Sequence, residues 1–481
     1  MPDRKLIISS GSSFQQSAMM VVIALLALLV GASVTVFTDI AGDRIGLLMA
    51  LPVIFLLGLL FFFNRNFLFL LVILFRSMLD PIFNMTKFGA DGSGVGVGGV
   101  LNALVIGLAA IELFRQSSPA LSNLRSIWGP FVLVMIASAI AAPSFWGALK
   151  MNLTILSYAA IFILPLFLIK SKEDFSHWMK VVLWSSVIPV IYAFLELASG
   201  GGHTVEGLRI KGTFSHPNIF AFYLVLMILL LFSVAQGKLI EVSAGVRRLL
   251  PVFILLMLVL LVLTKTRSAW AACFTYFFFY GLLFERKVLI PVIMLPFLAL
   301  AVPEVRDRLM DVSTGNEHVQ YAKLDSYTWR KSLWTHAMAW MAPVRYVFGY
   351  GAGSFTHYSP IFFPLAGGVG WGAHSVYVQL FFEAGLMGIL SFIWLVGSAI
   401  RRVKGIFPLD RVTAFTITML LIEYAVVSYS DNMLDYLVFN WYFWFVVGAT
   451  FALSAIEQKN ISNPAINSMK FNLVGDRYVS R

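Results

Sequence analysis

Long apolar runs recur along the whole chain and are separated by short polar segments. A helix needs about 20 mostly apolar residues to cross the hydrocarbon core of a bilayer. The candidate runs lie near residues 18–37, 45–63, 66–83, 97–114, 129–143, 152–169, 178–198, 217–235, 249–264, 268–284, 287–303, 376–400, 412–428 and 435–455. The third contains Arg76 and Asp80 and the fifth is short, so both are open to a re-entrant or interfacial interpretation. The pattern predicts an all-α, polytopic transmembrane helix bundle with 12–14 spans.

The composition agrees with a lipid environment, because 59% of the residues are apolar and only 12% are charged. An average soluble domain carries about twice that charged share. The lone cysteine, Cys273, excludes an intrachain disulfide and a cysteine metal cluster. The first run, from Met19 to Phe37, lacks a convincing small-residue cleavage site, so we expect a retained span.

Lysine and arginine residues indicate the orientation, because cytoplasmic loops retain them during insertion. With the amino terminus inside, the cytoplasmic loops receive Arg115, Arg125, Lys170, Lys172, Lys238, Arg247, Arg248, Arg286, Lys287, Arg401, Arg402, Lys404 and Arg411. The periplasmic side then receives residues 199–216, 264–268, 303–374 and 429–435. We therefore expect both termini in the cytoplasm.

The spans and loops divide the chain into five regions. They are N-terminal transmembrane helices (1–198), a central transmembrane region (199–302), a large periplasmic loop (303–375), C-terminal transmembrane helices (376–455) and a cytoplasmic tail (456–481). The large loop mixes charged and aromatic residues, with Arg330 and Trp334 at helical spacing. It is expected to form amphipathic helices on the outer membrane surface.

Basic residues on the periplasmic side oppose the usual charge bias, which points to a function. They are Arg209, Lys211, Lys265 and Arg267. Histidines gather on the same side: His203, His216, His318, His336, His357 and His374, with His177 alone inside. Such side chains can hold a diphosphate whose lipid tail stays in the membrane. Binding of ordinary anionic lipid head groups is the alternative.

Four segments resemble motifs of the O-antigen ligase/polymerase family, in the same order. Residues 209–218, RIKGTFSHPN, are similar to the motif that opens the family's membrane domain. Residues 266–270, TRSAW, resemble its arginine turn, and residues 349–355, GYGAGSF, resemble its glycine turn. Residues 373–379, AHSVYVQ, followed by EAGLMG, resemble its histidine motif, although Asn more often stands at the position of Ser375. The resemblance covers roughly residues 200–400.

The resemblance implies a GT-C-type glycosyltransferase of the bacterial inner membrane that works at the periplasmic face. Such an enzyme moves a glycan from an undecaprenyl-diphosphate carrier to an acceptor hydroxyl, without a cofactor or an obligatory metal. Its partners are the lipid-linked glycan, a lipid or glycan acceptor and membrane lipids, with a chain-length regulator and a flippase as further expected partners. No nucleic-acid partner is expected.

The family's essential histidine corresponds to His374, and its conserved arginine corresponds to Arg267. A base near the acceptor hydroxyl and cations near the departing diphosphate suit this chemistry. Whether His374 acts as the base or orients a substrate stays open. The candidate substrate-binding residues are Arg209, Lys211, His216, Asn218, Lys265, Tyr377 and Gln379.

Purely structural roles compete with these assignments. His374 stands where it could cap the span that follows it, and the stretch from His216 to Asn218 is also a typical helix start. The turn from Gly349 to Gly353 lacks the lysine of a P-loop and is better interpreted as a close approach of two backbone segments. Glu383 follows His374 by two and a half helical turns, so we expect it on a different face.

Two functional alternatives remain at this point. A secondary transporter or lipid-glycan flippase would also be a basic helix bundle, but it usually shows related halves and ionisable groups near mid-membrane. No internal repeat is evident here. Within the transferase interpretation, the long chain favours a polymerase of an O-antigen or exopolysaccharide. An O-antigen ligase that transfers the glycan to lipid A-core is the alternative.

Overall fold

The computed structural model describes residues 45–85, 96–115, 122–204, 207–301, 306 and 326–462. The predicted span at 18–37, His318 and the tail beyond residue 462 lie outside these ranges. The chain forms two compact units. The first comprises Met1–Val72 and Leu79–Leu104, and the second comprises Ile73–Met78 and Val105–Arg481.

The amino-terminal helices follow the predicted apolar runs closely, with one interruption. They are α1 (Ile45–Phe63), α2 (Arg65–Phe75), α3 (Asp80–Met85) and α4 (Val97–Arg115). The third predicted run is not one straight span, because a 3₁₀ turn, Arg76–Met78, separates α2 from α3. Pro81 is the second residue of α3, in the first turn, where its missing N–H is tolerated.

Helices also dominate the second unit. They are α5 (Gly129–Ser138, preceded by a π-helical turn, Leu124–Trp128), α6 (Phe145–Leu168), α7 (Lys172–Trp184), α8 (Val187–Ala198), α9 (Pro217–Gln236), α10 (Ala244–Leu263), α11 (Arg267–Leu283), α12 (Leu289–Ala299), α13 (Ser326–Trp340), α14 (Ser354–Phe362), α15 (Val376–Val403), α16 (Arg411–Val427) and α17 (Leu437–Ser462). Two short strands, β1 (His203–Thr204) and β2 (Gly207–Leu208), pair antiparallel.

Among the described residues, 8 helical segments are long and apolar enough to cross a membrane. Helices α11 and α16 have 17 residues each and connect the same two ends of the second unit. The predicted polytopic helix bundle is confirmed.

The loops of the second unit gather at two opposite ends. At one end, Lys172 Nζ lies 3.2 Å from Glu457 Oε1, and the Lys238 backbone N–H donates to Asp410 Oδ2 at 3.0 Å. At the other end, the Val376 N–H donates to the Ser428 carbonyl at 2.8 Å. Loops predicted to share a side of the membrane therefore do meet. The assignment of one end to the periplasm remains a prediction.

The bundle core is aromatic and closely packed. Helix α9 is buried over most of its length, so it is the central helix of this unit. Helix α17 approaches α6 where Gly448 faces the Phe162 carbonyl, since a Cβ at this glycine would collide with it. The Trp128 and Trp444 rings meet edge to face with centroids 4.7 Å apart. Large rings of this kind contribute most of the buried apolar area.

The large loop contains a hydrophobic core of its own. Helices α13 and α14 pack against each other and against the start of α15. The buried side chains are Leu333, Trp334, Ala337, Met341, Phe355, Phe362, Phe363, Ala366, Ala373 and Phe382. The loop is thus a small folded layer, and not only helices that rest on a lipid surface.

Helix α15 is broken at Gly385, whose φ of +64° is left-handed. The break leaves the carbonyls of Phe382 and Glu383 without helical partners, and the N–H groups of Tyr350 and Gly351 donate to them at 2.9 and 2.8 Å. A Cβ at Gly349 would collide with the Glu383 backbone. The expectation that the glycine turn lets two backbone segments approach is confirmed.

Candidate functional site

Two basic turns are joined by the side chain of Asn218. Arg209 donates from Nη2 to Asn218 Oδ1 at 2.7 Å and from Nε to the Thr264 carbonyl at 3.0 Å. Thr266 donates from Oγ1 to the same Asn218 oxygen at 3.2 Å. The segments 209–218 and 264–268, distant in sequence, therefore form one basic surface at this end of the bundle.

The turn before α11 is unusual in its backbone. Lys265 adopts a φ of +53°, a left-handed conformation that is rare for a residue with a side chain. This bend brings the partly exposed Arg267 to the first position of α11. A strained turn that carries two basic residues, Lys265 and Arg267, is more typical of a binding site than of a simple connection.

Asp431 ties this surface to the turn between α16 and α17. Its side chain is 2% exposed and accepts three hydrogen bonds. The donors are Asn218 Nδ2 at 2.9 Å, Ser268 Oγ at 2.7 Å and the Tyr436 hydroxyl at 2.9 Å. The turn 429–435 was predicted to share a side with the two basic turns, and the structure brings it to them, but the sequence indicated no role for Asp431. The available signal was an acidic residue in a short polar turn between two apolar runs.

His374 also has a left-handed backbone, with a φ of +52°. It does not cap the following helix, since Ser375 does so by accepting from the Val378 N–H at 3.4 Å. The capping interpretation of His374 is therefore wrong. The strained backbone sets the imidazole at the rim of the helix end, where it is partly exposed.

Three charged or titratable groups from other elements act on His374. Partial burial is the main cause that lowers the pKa of His374, to about 4, and Arg330 acts in the same direction. Asp431 opposes this effect, while His216 adds to it. The imidazole is therefore neutral near pH 7 and able to accept a proton. These influences bring His374 into the same cluster as Asp431.

Arg330 is a second residue of the cluster to which the sequence analysis gave no functional role. It lies on α13, and its Nη1 donates to the Ser430 carbonyl, next to Asp431. The large loop thereby contributes a cation beside His374. Sequence reasoning used Arg330 only for its helical spacing from Trp334, and nothing in the local pattern indicated its partner 100 residues away.

Residues 252–393 match the family model described as O-antigen ligase. This match confirms the resemblance to the O-antigen ligase/polymerase family. It includes Arg267, the glycine turn and His374, whereas the segment 209–218 precedes it. No curated protein matches the chain.

The residues matched by the O-antigen ligase model include the turn 264–268 and the start of α15. The preceding segment, 209–218, is bonded to the turn 264–268 and to the turn between α16 and α17, because Asn218 contacts both Thr266 and Asp431. His216 serves as the cap of α9, accepting from the Asn218 N–H at 3.1 Å, and its ring is exposed. The helix-start interpretation of His216 is confirmed, and its substrate-binding role stays a prediction.

Three of the candidate binding residues make bonds elsewhere. The side chain of Lys211 is exposed, while its backbone N–H donates to Glu196 Oε2 at 3.2 Å. The Tyr377 hydroxyl donates to the Ala425 carbonyl at 2.8 Å. Gln379 accepts from Asn432 Nδ2. The structure gives these residues internal partners and does not join them to Asn218.

Glu383 lies away from this cluster. It is fully buried and accepts from the Phe355 N–H at 3.4 Å, at the start of α14, and from Gln379 Nε2 at 3.5 Å. Its carboxylate thus links the broken part of α15 to the large loop. The described residues contain no cluster of three or more His, Cys, Asp or Glu side chains that could hold a metal ion.

Proposed function

We propose that this protein is a membrane glycosyltransferase that transfers a glycan from an undecaprenyl-diphosphate carrier to an acceptor hydroxyl at the periplasmic face of the inner membrane. The observation that carries the proposal is that Asp431 bonds to both basic turns, through Asn218 and Ser268, and also acts electrostatically on His374. The O-antigen ligase match over residues 252–393 supports the same chemistry.

In the proposed step, the acceptor hydroxyl oxygen attacks the anomeric carbon and gives its proton to a ring nitrogen of His374. The bond from the anomeric carbon to the diphosphate oxygen breaks, and its electron pair leaves with the lipid diphosphate. A bound diphosphate adds negative charge near His374, which raises its pKa from the value in the free protein toward neutrality. A base in that range is effective near pH 7.

Arg267 and Arg209 stabilise the departing diphosphate in this proposal. Arg209 is held by Asn218 and the Thr264 carbonyl, so little of its freedom is lost when the anion binds. Lys265, beside Arg267, supplies a further charge at the same turn. Lys211 and His216 are more exposed and stand at the outer edge of the basic surface.

Asp431 is a positioning residue in this proposal, because it accepts hydrogen bonds from Asn218 and Ser268 and so holds the two basic turns in place. Its negative charge also favours the imidazolium that forms when His374 takes a proton. It thus resembles the third group that orients a base in other hydrolytic and transfer sites.

We propose polymerisation of an O-antigen or exopolysaccharide repeat unit as the biological outcome, with a flippase and a chain-length regulator as partners. The length of the chain and the predicted spans beyond the twelve of a compact ligase support this choice. The description of the matching family model favours the ligase alternative. A deletion strain separates the two: unit-length glycan on lipid A indicates a lost polymerase, and accumulated lipid-linked polymer indicates a lost ligase.

A transfer assay tests the enzymatic proposal against the transporter or flippase class. Purified protein in lipid nanodiscs is mixed with lipid-diphosphate glycan extracted from the deletion strain and with an acceptor. The proposal expects free undecaprenyl diphosphate and an elongated or transferred glycan in equal amounts. A transporter would move the lipid without breaking the glycan–phosphate bond, and that result would refute the proposal.

A further inference from the structure

Two tryptophans of the large loop form an aromatic surface next to His374. The Trp329 ring lies 5.8 Å from the His374 ring and 5.1 Å from the Trp371 ring, measured between centroids. Both contacts are edge to face, with interplanar angles of 71°. The His374 and Trp371 rings therefore each meet Trp329 edge to face, and the two indoles are not stacked face to face.

Trp371 is fixed although it is exposed. It is 37% exposed, its backbone N–H donates to Ser359 Oγ at 2.7 Å, and its indole Nε1 donates to the Ala366 carbonyl at 3.1 Å. An exposed indole in a glycine-rich loop would ordinarily be mobile. Holding it by two hydrogen bonds reduces the entropy that a ligand must remove on binding.

The space beside this indole is open. Trp371 stands between Gly370 and Gly372, and a Cβ at Gly372 would meet no atom within 4 Å. The same is true of Gly367 and Gly368, whose φ values of +61° and +77° favour glycine. In contrast, the Trp334 ring meets the Tyr429 ring, and the Trp340 ring stacks on Phe382 of the loop's hydrophobic core. Trp329 thus contacts His374, and Trp371, which contacts Trp329, adjoins open space.

We propose that Trp329 and Trp371 form a binding subsite for a pyranose ring of the acceptor glycan, and this rests on the proposed function. The face of a pyranose presents polarised C–H groups, which pack against the electron-rich face of an indole. The chemistry of the site assigns this subsite to the acceptor. The donor's diphosphate is assigned to the basic turns at 209–218 and 264–268, because these turns lie at helix ends, where the donor's lipid tail can stay in the membrane. The tryptophans lie instead in the large loop, where Trp329 contacts the His374 ring.

Two acceptors share this chemistry, because both the core oligosaccharide of lipid A and a lipid-linked repeat unit present pyranose rings. The subsite itself is the same in either case. Separate arms of the test, one with each acceptor, identify which of them depends on Trp371.

The test measures steady-state kinetics of wild-type protein, Trp371→Ala and Trp371→Phe in nanodiscs with the extracted lipid-diphosphate glycan as donor. Trp371→Ala is expected to raise the KM for the true acceptor about tenfold, because one ring contact is lost. The KM for the donor is expected to change less than about twofold. Trp371→Phe retains a ring and is expected to recover much of the loss. Ile361→Ala, at a residue of α14 that is 67% exposed, is the matched control and is expected to behave as wild type.

A second measurement does not need turnover. Saturation-transfer NMR with the lipid-free acceptor oligosaccharide is expected to show contacts to the protein that weaken about tenfold in Trp371→Ala and persist in His374→Gln. If the wild-type protein transfers glycan but Trp371→Ala leaves both the acceptor KM and the NMR binding unchanged, the subsite is overturned while the proposed function stands. Absence of transfer by the wild-type protein would instead defeat the proposed function, and the NMR arm would still decide whether the tryptophans bind sugar.

Discussion

Ser268 donates a hydrogen bond from Oγ to Asp431 Oδ2 at 2.7 Å, and so joins the first turn of α11 to the turn between α16 and α17. Ser268 follows Arg267 directly, while Asp431 acts electrostatically on His374. This one bond therefore connects the environments of the two residues that the sequence singled out for catalysis.

Asp431→Asn tests this connection. An amide cannot accept from all three donors without turning an N–H toward one of them, so the arrangement of Asn218 and Ser268 is disturbed. Loss of a buried hydrogen bond to a charged group costs about 1.5–3 kcal/mol, and we expect kcat to fall about tenfold to a hundredfold. The donor KM and kcat are measured in the transfer assay. A variant with wild-type kcat would show that Asp431 has no positioning role.

The pH dependence of transfer depends on His374. Its neutral form is the active base, so kcat/KM, which reports the free protein, is lost only as the pH falls through its lowered pKa of about 4. Arg330→Gln removes a cation that lowers this pKa, and the acidic limb should move to higher pH. Lys331→Gln, at the exposed neighbouring position on α13, is the control and should leave the limb in place. An acidic limb that does not respond to Arg330→Gln would exclude His374 as the titrating group.

The break in α15 is expected to require glycine at position 385 for full stability. Gly385→Ala places a Cβ against the Val347 backbone and forces alanine into a left-handed conformation. The expected loss is about 1–3 kcal/mol, with a lower Tm in detergent. Gly397→Ala, in the same helix, is the matched control because its Cβ would meet nothing within 4 Å. Equal Tm values for the two variants would contradict the structural role assigned to Gly385.

Much of the fold was predictable from the apolar runs. Every run within the described residues contains helix, and boundaries such as Val97 and Pro217 agree with the sequence within a few residues. The break in the run at 66–83 was anticipated from Arg76 and Asp80. The broken α15 was not, because the run at 376–400 is long enough for one continuous span and the partner of Gly385, the turn at Val347, is set by tertiary contacts.

The candidate site was predictable only in part. Arg209, Asn218 and the turn 264–268 were found through motifs and through charges that oppose the topological bias, and the structure brings them together. Asp431 and Arg330 were missed for a physical reason. Two of the three partners of Asp431 lie 163 and 213 residues away, and no local periodicity reports such contacts.

The most direct test of the central claim is release of undecaprenyl diphosphate from lipid-linked glycan by wild-type protein, His374→Ala and Arg267→Ala, each purified in nanodiscs and shown to be folded by its Tm. The account predicts that both variants fold like the wild type and lose turnover by at least about a hundredfold, since each removes a group that acts in the transition state. Wild-type rates of release in both variants would contradict it.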